Sequence, residues 1–437
     1  MTTALTQETA TALSHRFKEP EWLARLRAAA FERHAVLPWP HPSDEVWRRT
    51  DVTQLDPMNG CVLPEPPGVL QHVALTEKQL AQFTMPAADE ALYVRADGSW
   101  MSQASERGVT VTDLADAART HANVLQPILE SDGLTPSEEK LASLNTAFHH
   151  DDCVVLVPAG RVEGRPIRLV RLLSSRVKQA LFPLTVIVVG RGSSLVLIDE
   201  YVGIGEQASI GSPPVINSRV ELVLEPQAGV HYVRIQRWDT QAHEFFLQRA
   251  TLQEGAQLTM VNINFGARVS KTHTITQLLG PQASSKLYGF MFGHGSQHID
   301  QHTLQDHQAP HTFSDLLYKA ALKDRSRMIY TGLIRIGKAA KQTNAYQANH
   351  NLLLGQDAKA ETIPMLEILA DDVQCKHGAT IGPVDDEQLF YLMTRGIPRE
   401  LAERLLVMGF VEPIIAQIPI EALRQQLLKE VEGNLQA

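Results

Sequence analysis

Between Glu225 and Phe290 the chain repeats itself. The phrases EPQAGVHYVRI, QEGAQLTMVNI and GPQASSKLYGF each set a small residue after a turn and ahead of a strand-length run, and Ala228, Ala256 and Ala283 stand 28 and 27 residues apart. A weaker echo, IGKAAKQTNAY, puts Ala339 a further 56 residues on. A fixed period of this size constrains the fold more than any other feature. Stacked coils of a β-helix bury their apolar faces only against one another and so recur at near-constant length. A β-sandwich or barrel is the competing reading, because the runs Val154–Val157, Ile167–Leu172, Leu184–Val189, Leu195–Ile198, Val220–Leu224, His231–Ile235 and Leu258–Ile263 are simply strand-sized.

The repeat region is bounded by texture changes near Asp151 and Pro383. Ahead of it, Trp22, Leu23, Leu26, Ala30 and Phe31 recur at helical spacing over Glu21 to Ala35, and Pro38-Trp39-Pro40 stops that helix. Prolines and glycine from Asp56 to Pro67 mark an irregular crossing, and a second helical stretch ends at Phe148. Behind the repeat, Asp385, Asp386 and Glu387 suit a helix N-terminus, with Gly396 as its stop. A further helix is expected from Pro398 to Gly409, and a last amphipathic stretch from Ile414 to Leu428 with Pro419 resetting it. Three domains follow: 1–146 mixed and largely helical, 147–384 repetitive β, and 385–437 helical.

Composition narrows the function. With 40 Lys+Arg against 49 Asp+Glu the net charge is −9, which does not favour nucleic acid or an anionic membrane. No run approaches the ~20 apolar residues of a membrane span, and the N-terminus lacks the features of a signal peptide, so a cytoplasmic location is expected. The three cysteines, Cys61, Cys153 and Cys375, are too dispersed for a disulfide framework or a self-contained metal site. No P-loop, GxGxxG, GxSxG or HExxH occurs.

Two constellations could carry chemistry. His273, His294, His298, His302, His307 and His311 crowd one region, and on a strand His298, Asp300 and His302 share a face, which makes a metal site geometrically possible. Structural histidines satisfied by hydrogen bonds are the competing reading. The second is Asp371 to Thr380, where Cys375 and His377 share one face and Lys376 the other. A thiolate with an imidazole suits iron or zinc. Two ligands cannot close a tetrahedral site, so a metal held there needs ligands from elsewhere or from another chain. The plainer reading is a buried small cysteine beside a surface histidine.

The run from Ser326 to Ile415, with SRMIYTGLIRIGKAAKQTNAYQANHNLLL, AKAETIPMLEILADDVQCKHGATIGPVDDEQLFYLMTRGI and LLVMGF, resembles the SufB/SufD family of iron–sulfur cluster assembly scaffolds. EVWRRT at Glu45–Thr50 and LNTAF at Leu144–Phe148 extend the resemblance over most of the chain. The SufD branch fits better, since Lys376-His377 stands where the SufB branch has a Glu-His pair. The resemblance implies a right-handed parallel β-helix between helical domains and a non-enzymatic scaffold role. It further implies a SufB-like partner joined edge strand to edge strand, or a second copy in isolation. It assigns His377, with Cys375 near it, to a nascent iron–sulfur cluster shared with that partner. Leu389, Phe390, Leu405, Leu406 and Phe410 fall in the helical unit that docks a SufC-like ABC ATPase. Nothing in the residues decides whether a flavin joins the assembly. A purely structural adaptor and a β-helix enzyme acting on polysaccharides are the alternatives.

Overall fold

The computed structural model describes residues 3–53, 55–63, 81, 83, 90–104, 108–130, 134–162, 164–173, 179–204 and 213–436. Of the Asp56–Pro67 crossing, only the part up to residue 63 lies within them. The repeat region is a parallel β-solenoid of about seven turns, each turn giving one strand to each of two sheets. Along the first sheet lie Ser194–Gly203, Gly229–Arg237, Gln257–Asn264, Ser284–Gly293, Phe313–Leu322, Asn344–Leu353 and finally Gln374–Pro383. Along the second lie Pro183–Val189, Val215–Leu224, His243–Leu252, Val269–Leu278, His298–His307, Arg327–Ile336 and finally Lys359–Ile368. The sandwich reading falls, because every rung between these strands is parallel and joins residues a full coil apart.

The sequence period is the coil. Gly229, Gln257, Ser284, Phe313, Asn344 and Gln374 stack in register, so the residues before them form a column: Ala228, Ala256, Ala283, Thr312, Thr343 and Val373. The residue one earlier is left-handed in every coil, with φ of 63° at Gln227, 62° at Gly255, 61° at Gln282, 59° at His311, 58° at Gln342 and 51° at Asp372. A tight left-handed corner leaves room only for a small side chain behind it, and Ala228, Ala256 and Ala283 are fully buried. The expected echo at Ala339 is off this column by four residues. The coils lengthen to 29 and 31 residues, and Thr312 and Thr343 take over, their hydroxyls 2.8 Å apart and donating to Ala309 O and Ala340 O.

The two ends of the solenoid differ. At the N-terminal end the first sheet finishes with Ser99–Ser102 paired antiparallel to Ala91–Ala96, and the second with Thr110–Thr112 paired antiparallel to Asp151–Val157. Short reversed strands are a common way to stop lateral pairing. At the other end, Gln374–Pro383 and Lys359–Ile368, ten residues each, have no strand beyond them among the described residues.

Helices cover the flanks. Glu21–Val36 forms the expected N-terminal helix, and Pro136–Phe148 begins with a Thr135/Glu138 capping box. Three helices follow the last strand: Asp386–Thr394, capped by Asp385, then Arg399–Ile415 and Glu421–Gln436. Gly409 was expected to end the middle helix and does not. A mid-helix glycine costs about 1 kcal/mol, whereas burying each of Val407, Val411, Ile414 and Ile415 against Val233, Val261, Ile263 and Phe290 of the first sheet returns roughly 1.5–3 kcal/mol. The last helix accordingly starts at Glu421 rather than Ile414. Among the described residues no helix is long and apolar enough to cross a membrane.

Candidate functional site

The open end carries Cys375 and His377. Cys375 and His377 lie in register with Ala345 and Gln347, both buried inside the solenoid, while Lys376 stacks on half-exposed Tyr346 on the outer face. The two donors thus share the inward face, at the rim of the last coil. Cys375 is half-buried, packing near Ile334, Ile336 and Ala345, and that burial raises its thiol pKa. His377 is exposed, because no further coil covers it. Around them the rim is apolar, with Met365, Leu366, Ile368, Leu369 and Ile381 between 38% and 54% exposed. An apolar rim with unpaired strand edges invites another chain.

The other two cysteines lie elsewhere. Cys61 is buried under the N-terminal helices, and Cys153 is fully enclosed, its thiol pushed up to about 12 by burial. A protonated, inaccessible thiol is neither ligand nor nucleophile. Among the described residues no group of three or more His, Cys, Asp or Glu is placed to hold a metal ion.

This includes the histidine-rich strand. His298, Asp300 and His302 do share a face, but the Lys271 ammonium occupies the centre, donating to Asp300 Oδ2 at 2.6 Å, His302 Nε2 at 2.7 Å and Val46 O at 2.6 Å. Thr50 adds a bond to Asp300 and lies 2.8 Å from His298 Nε2. Burial alone would push the Asp300 carboxyl up, but the adjacent Lys271 ammonium outweighs it and the carboxyl is held far below the ordinary range. The cluster is a clasp: Val46 to Thr50 are strapped across the second sheet, with Trp47 packed on Phe245 and Arg49 reaching Glu361 on Lys359–Ile368. His307 is likewise structural, its ring nitrogens 2.8 Å from Thr312 Oγ1 and 2.9 Å from Ser314 Oγ. Lys271 was not identified from sequence. A lone lysine in the strand VSKTHTITQL is its only trace, and the strap depends on a contact over 225 residues.

The C-terminal residues sort into two sets. Leu389 is 3% exposed and lines a cavity with Leu353, Leu354 and Val407, and Phe410 is held under Lys319, whose ammonium lies 4.6 Å from the ring centre and donates to Phe410 O at 2.9 Å. Phe390 at 69% and Leu405 at 46% face solvent, and Leu406 lines a shallow groove with Glu387, Gln388, Tyr391 and Leu392. Tyr391, 57% exposed, belongs with them and was missed.

Reversed strands at one end, and at the other a bare coil carrying a thiol and an imidazole, define a β-solenoid protein with one open edge among the described residues. Residues 172–410 match the family described as SUF system FeS cluster assembly, SufBD core domain, and residues 4–169 match the SufBD protein N-terminal region. The chain belongs to this SufBD family of the SUF iron–sulfur cluster assembly system. It is 28% identical to the iron-sulfur cluster assembly protein SufD of Bacillus subtilis (strain 168), over 98% of each chain. Two SufBD family proteins are 25% identical, one from Staphylococcus epidermidis (strain ATCC 12228) and one from Staphylococcus aureus (strain MRSA252). Each match covers 99% of this chain and 94% of the relative. Similarity to a SufD agrees with the reading of Lys376-His377.

Proposed function

We propose that this chain is a non-enzymatic subunit of the SUF scaffold that pairs through its bare coil with a SufB-like subunit. At the junction, His377 and then Cys375 serve the nascent cluster. The cluster is cargo: iron and sulfide arrive and the finished product leaves. The observation that carries this reading is the asymmetry of the solenoid, closed by reversed strands at one end and left with two ten-residue edges at the other. Two donors on one inward face supply half of a tetrahedral set, and a partner coil brings the rest within reach. Exposed His377 can meet iron without moving, whereas Cys375 must first lose its proton and part of its packing. The solvent-facing Phe390, Tyr391 and Leu405, with Leu406, dock a SufC-like ATPase, whose ATP-driven dimerisation strains the paired solenoids and opens the junction.

The test is His377→Ala in the complex reconstituted anaerobically with iron and sulfide, followed by absorption spectroscopy. Loss of the cluster bands with the complex intact is expected. Unchanged assembly would remove His377 from the ligand set and favour a purely structural adaptor.

A further inference from the structure

The outer face of the first sheet is covered unevenly. Val407, Val411 and Ile414 of the helix Arg399–Ile415 pack on Val233, Val261, Ile263 and Phe290 of the earlier coils. Toward the open end the chain leaves the sheet at Pro383 and must turn back before that helix can begin. The turn is made by the helix Asp386–Thr394, whose one buried side chain is Leu389. A helix that buries so little leaves space beneath it. Between it, the helix Arg399–Ile415 and the ends of the coils lies a cavity of about 720 Å³, within the roughly 300–1,000 Å³ of ordinary small-ligand sites. Leu353, Leu354, Leu389, Val407 and Leu435 give it apolar walls, and Lys323, Arg399 and Arg404 bring cations to it. Two of these cations are satisfied, Arg399 by Glu403 at 2.9 Å and Arg404 by Glu432 at 3.1 Å. Lys323 makes no ion pair among the described residues, and its ammonium donates to Leu435 O at 3.2 Å. An ammonium has three N–H groups, so two donors are left over on a half-buried side chain at the coil side of the cavity. The acids that border it, Asp386, Glu400 and Glu403, belong to the two helices on the other side.

We infer that this cavity binds a small amphipathic carboxylate, with its head on the Lys323 ammonium and its alkyl body against the leucines and Val407. A carboxylate answers an unpaired ammonium with charge-assisted hydrogen bonds, which are stronger than those of a neutral acceptor. A cationic amphiphile would meet Lys323 as a like charge, and an inorganic anion would leave the apolar walls unused. Each methylene placed against those walls tightens binding by about fourfold. About ten non-hydrogen atoms, at roughly 30 Å³ each, take up less than half of the volume. The occupant touches three parts of the molecule at once: the coil ends at Leu353 and Leu354, the chain at Pro383 and Val384 that leaves the strand of Cys375 and His377, and the helices that carry Phe390 and Leu405. The site is thus placed to stiffen the link between the open end and the C-terminal helices. Binding itself does not depend on the function proposed above.

The probe is octanoate, titrated calorimetrically into the full-length chain at neutral pH beside octanol, which has the same tail and no charge. One saturable site is expected, with octanoate bound at least about tenfold more tightly than octanol, the worth of about one hydrogen bond to a charged group. Lys323→Met keeps an apolar stem, removes the donors and is expected to erase that preference, whereas Lys323→Arg is expected to retain it. Leu401→Trp fills the cavity from the first turn of Arg399–Ile415 and is expected to weaken octanoate by at least about tenfold, with the melting temperature of the chain unchanged. No saturable binding below about 10 mM octanoate overturns the site. So does equal affinity for the acid and the alcohol in the parent, or a preference that survives Lys323→Met, because the head is then not held by Lys323. Octanoate binding unaffected by Leu401→Trp places the ligand elsewhere and overturns the cavity.

Discussion

Lowering the pH from 7.5 to 5.5 is expected to remove about 5 kcal/mol of folding stability from the isolated chain through four histidines held neutral. Burial pushes His150, His243 and His307 down to about 4 and His273 to about 3. Unfolded, each titrates near 6.5. A group whose folded pKa is depressed stabilises the fold fully above the unfolded value and loses that contribution as pH falls through it, because the unfolded chain takes up the proton first. At pH 5.5 an unfolded histidine is about ten to one protonated while its folded counterpart is still neutral, which amounts to a little over 1 kcal/mol each. His273 keeps 20% of its side chain exposed and its Nδ1 faces the Glu138 carboxylate, which favours the charged ring, so its share is not taken as larger than the others. The sum approaches the whole stability of an ordinary domain, about 5–15 kcal/mol. Urea unfolding followed by tryptophan fluorescence at the two pH values and equal ionic strength measures it. His307→Gln, which retains hydrogen-bonding capacity toward Thr312 and Ser314, is expected to flatten the dependence by its own share. A total loss below about 1 kcal/mol would show that these rings are protonated or solvated in the folded state, and would refute the reasoning.

Lys271→Met leaves Asp300 buried with Thr50 and His302 but without its cation, and is expected to cost about 3–5 kcal/mol in the same urea assay. A loss under about 1 kcal/mol would mean that the clasp is hydrated. Phe390→Asp combined with Leu405→Asp alters only solvent-facing side chains, so the melting temperature should hold while ATPase co-purification is lost. These substitutions test docking more cleanly than deletion of the helices, which would strip the cover from Val233, Ile263 and Phe290.

The solenoid was readable because its signal is local and repeated: a turn, an alanine, a strand, and the same again 28 residues later. The misplaced echo at Ala339 shows the limit of that signal. Once the residue behind the corner became threonine, a nearby alanine imitated the period, and only backbone register distinguishes them. Gly409 misled for a different reason, since local propensity marks a stop that tertiary burial of Val407 and Val411 overrides. The shared face of Cys375 and His377 followed from strand parity alone. That this face lies on an uncovered rim did not, because it depends on which coil is last. The clasp at Lys271 and the strap over Val46–Thr50 were out of reach for the same reason: both are contacts between distant segments, with no spacing rule to reveal them.

The bare coil also bears on how the molecule completes its folding. In a stack where each turn is stabilised by the turn on either side, the final turn has a single neighbour and half the coupling of the others. It should therefore open first and most often, and its amides Cys375, His377, Ala379 and Ile381 should exchange with solvent faster than those of any interior turn. A partner laid against it supplies the missing neighbour, so association and the last step of folding become one event. On the function proposed above, the Cys375 thiol, half-buried against Ile334, Ile336 and Ala345, is the group whose setting this event would change most.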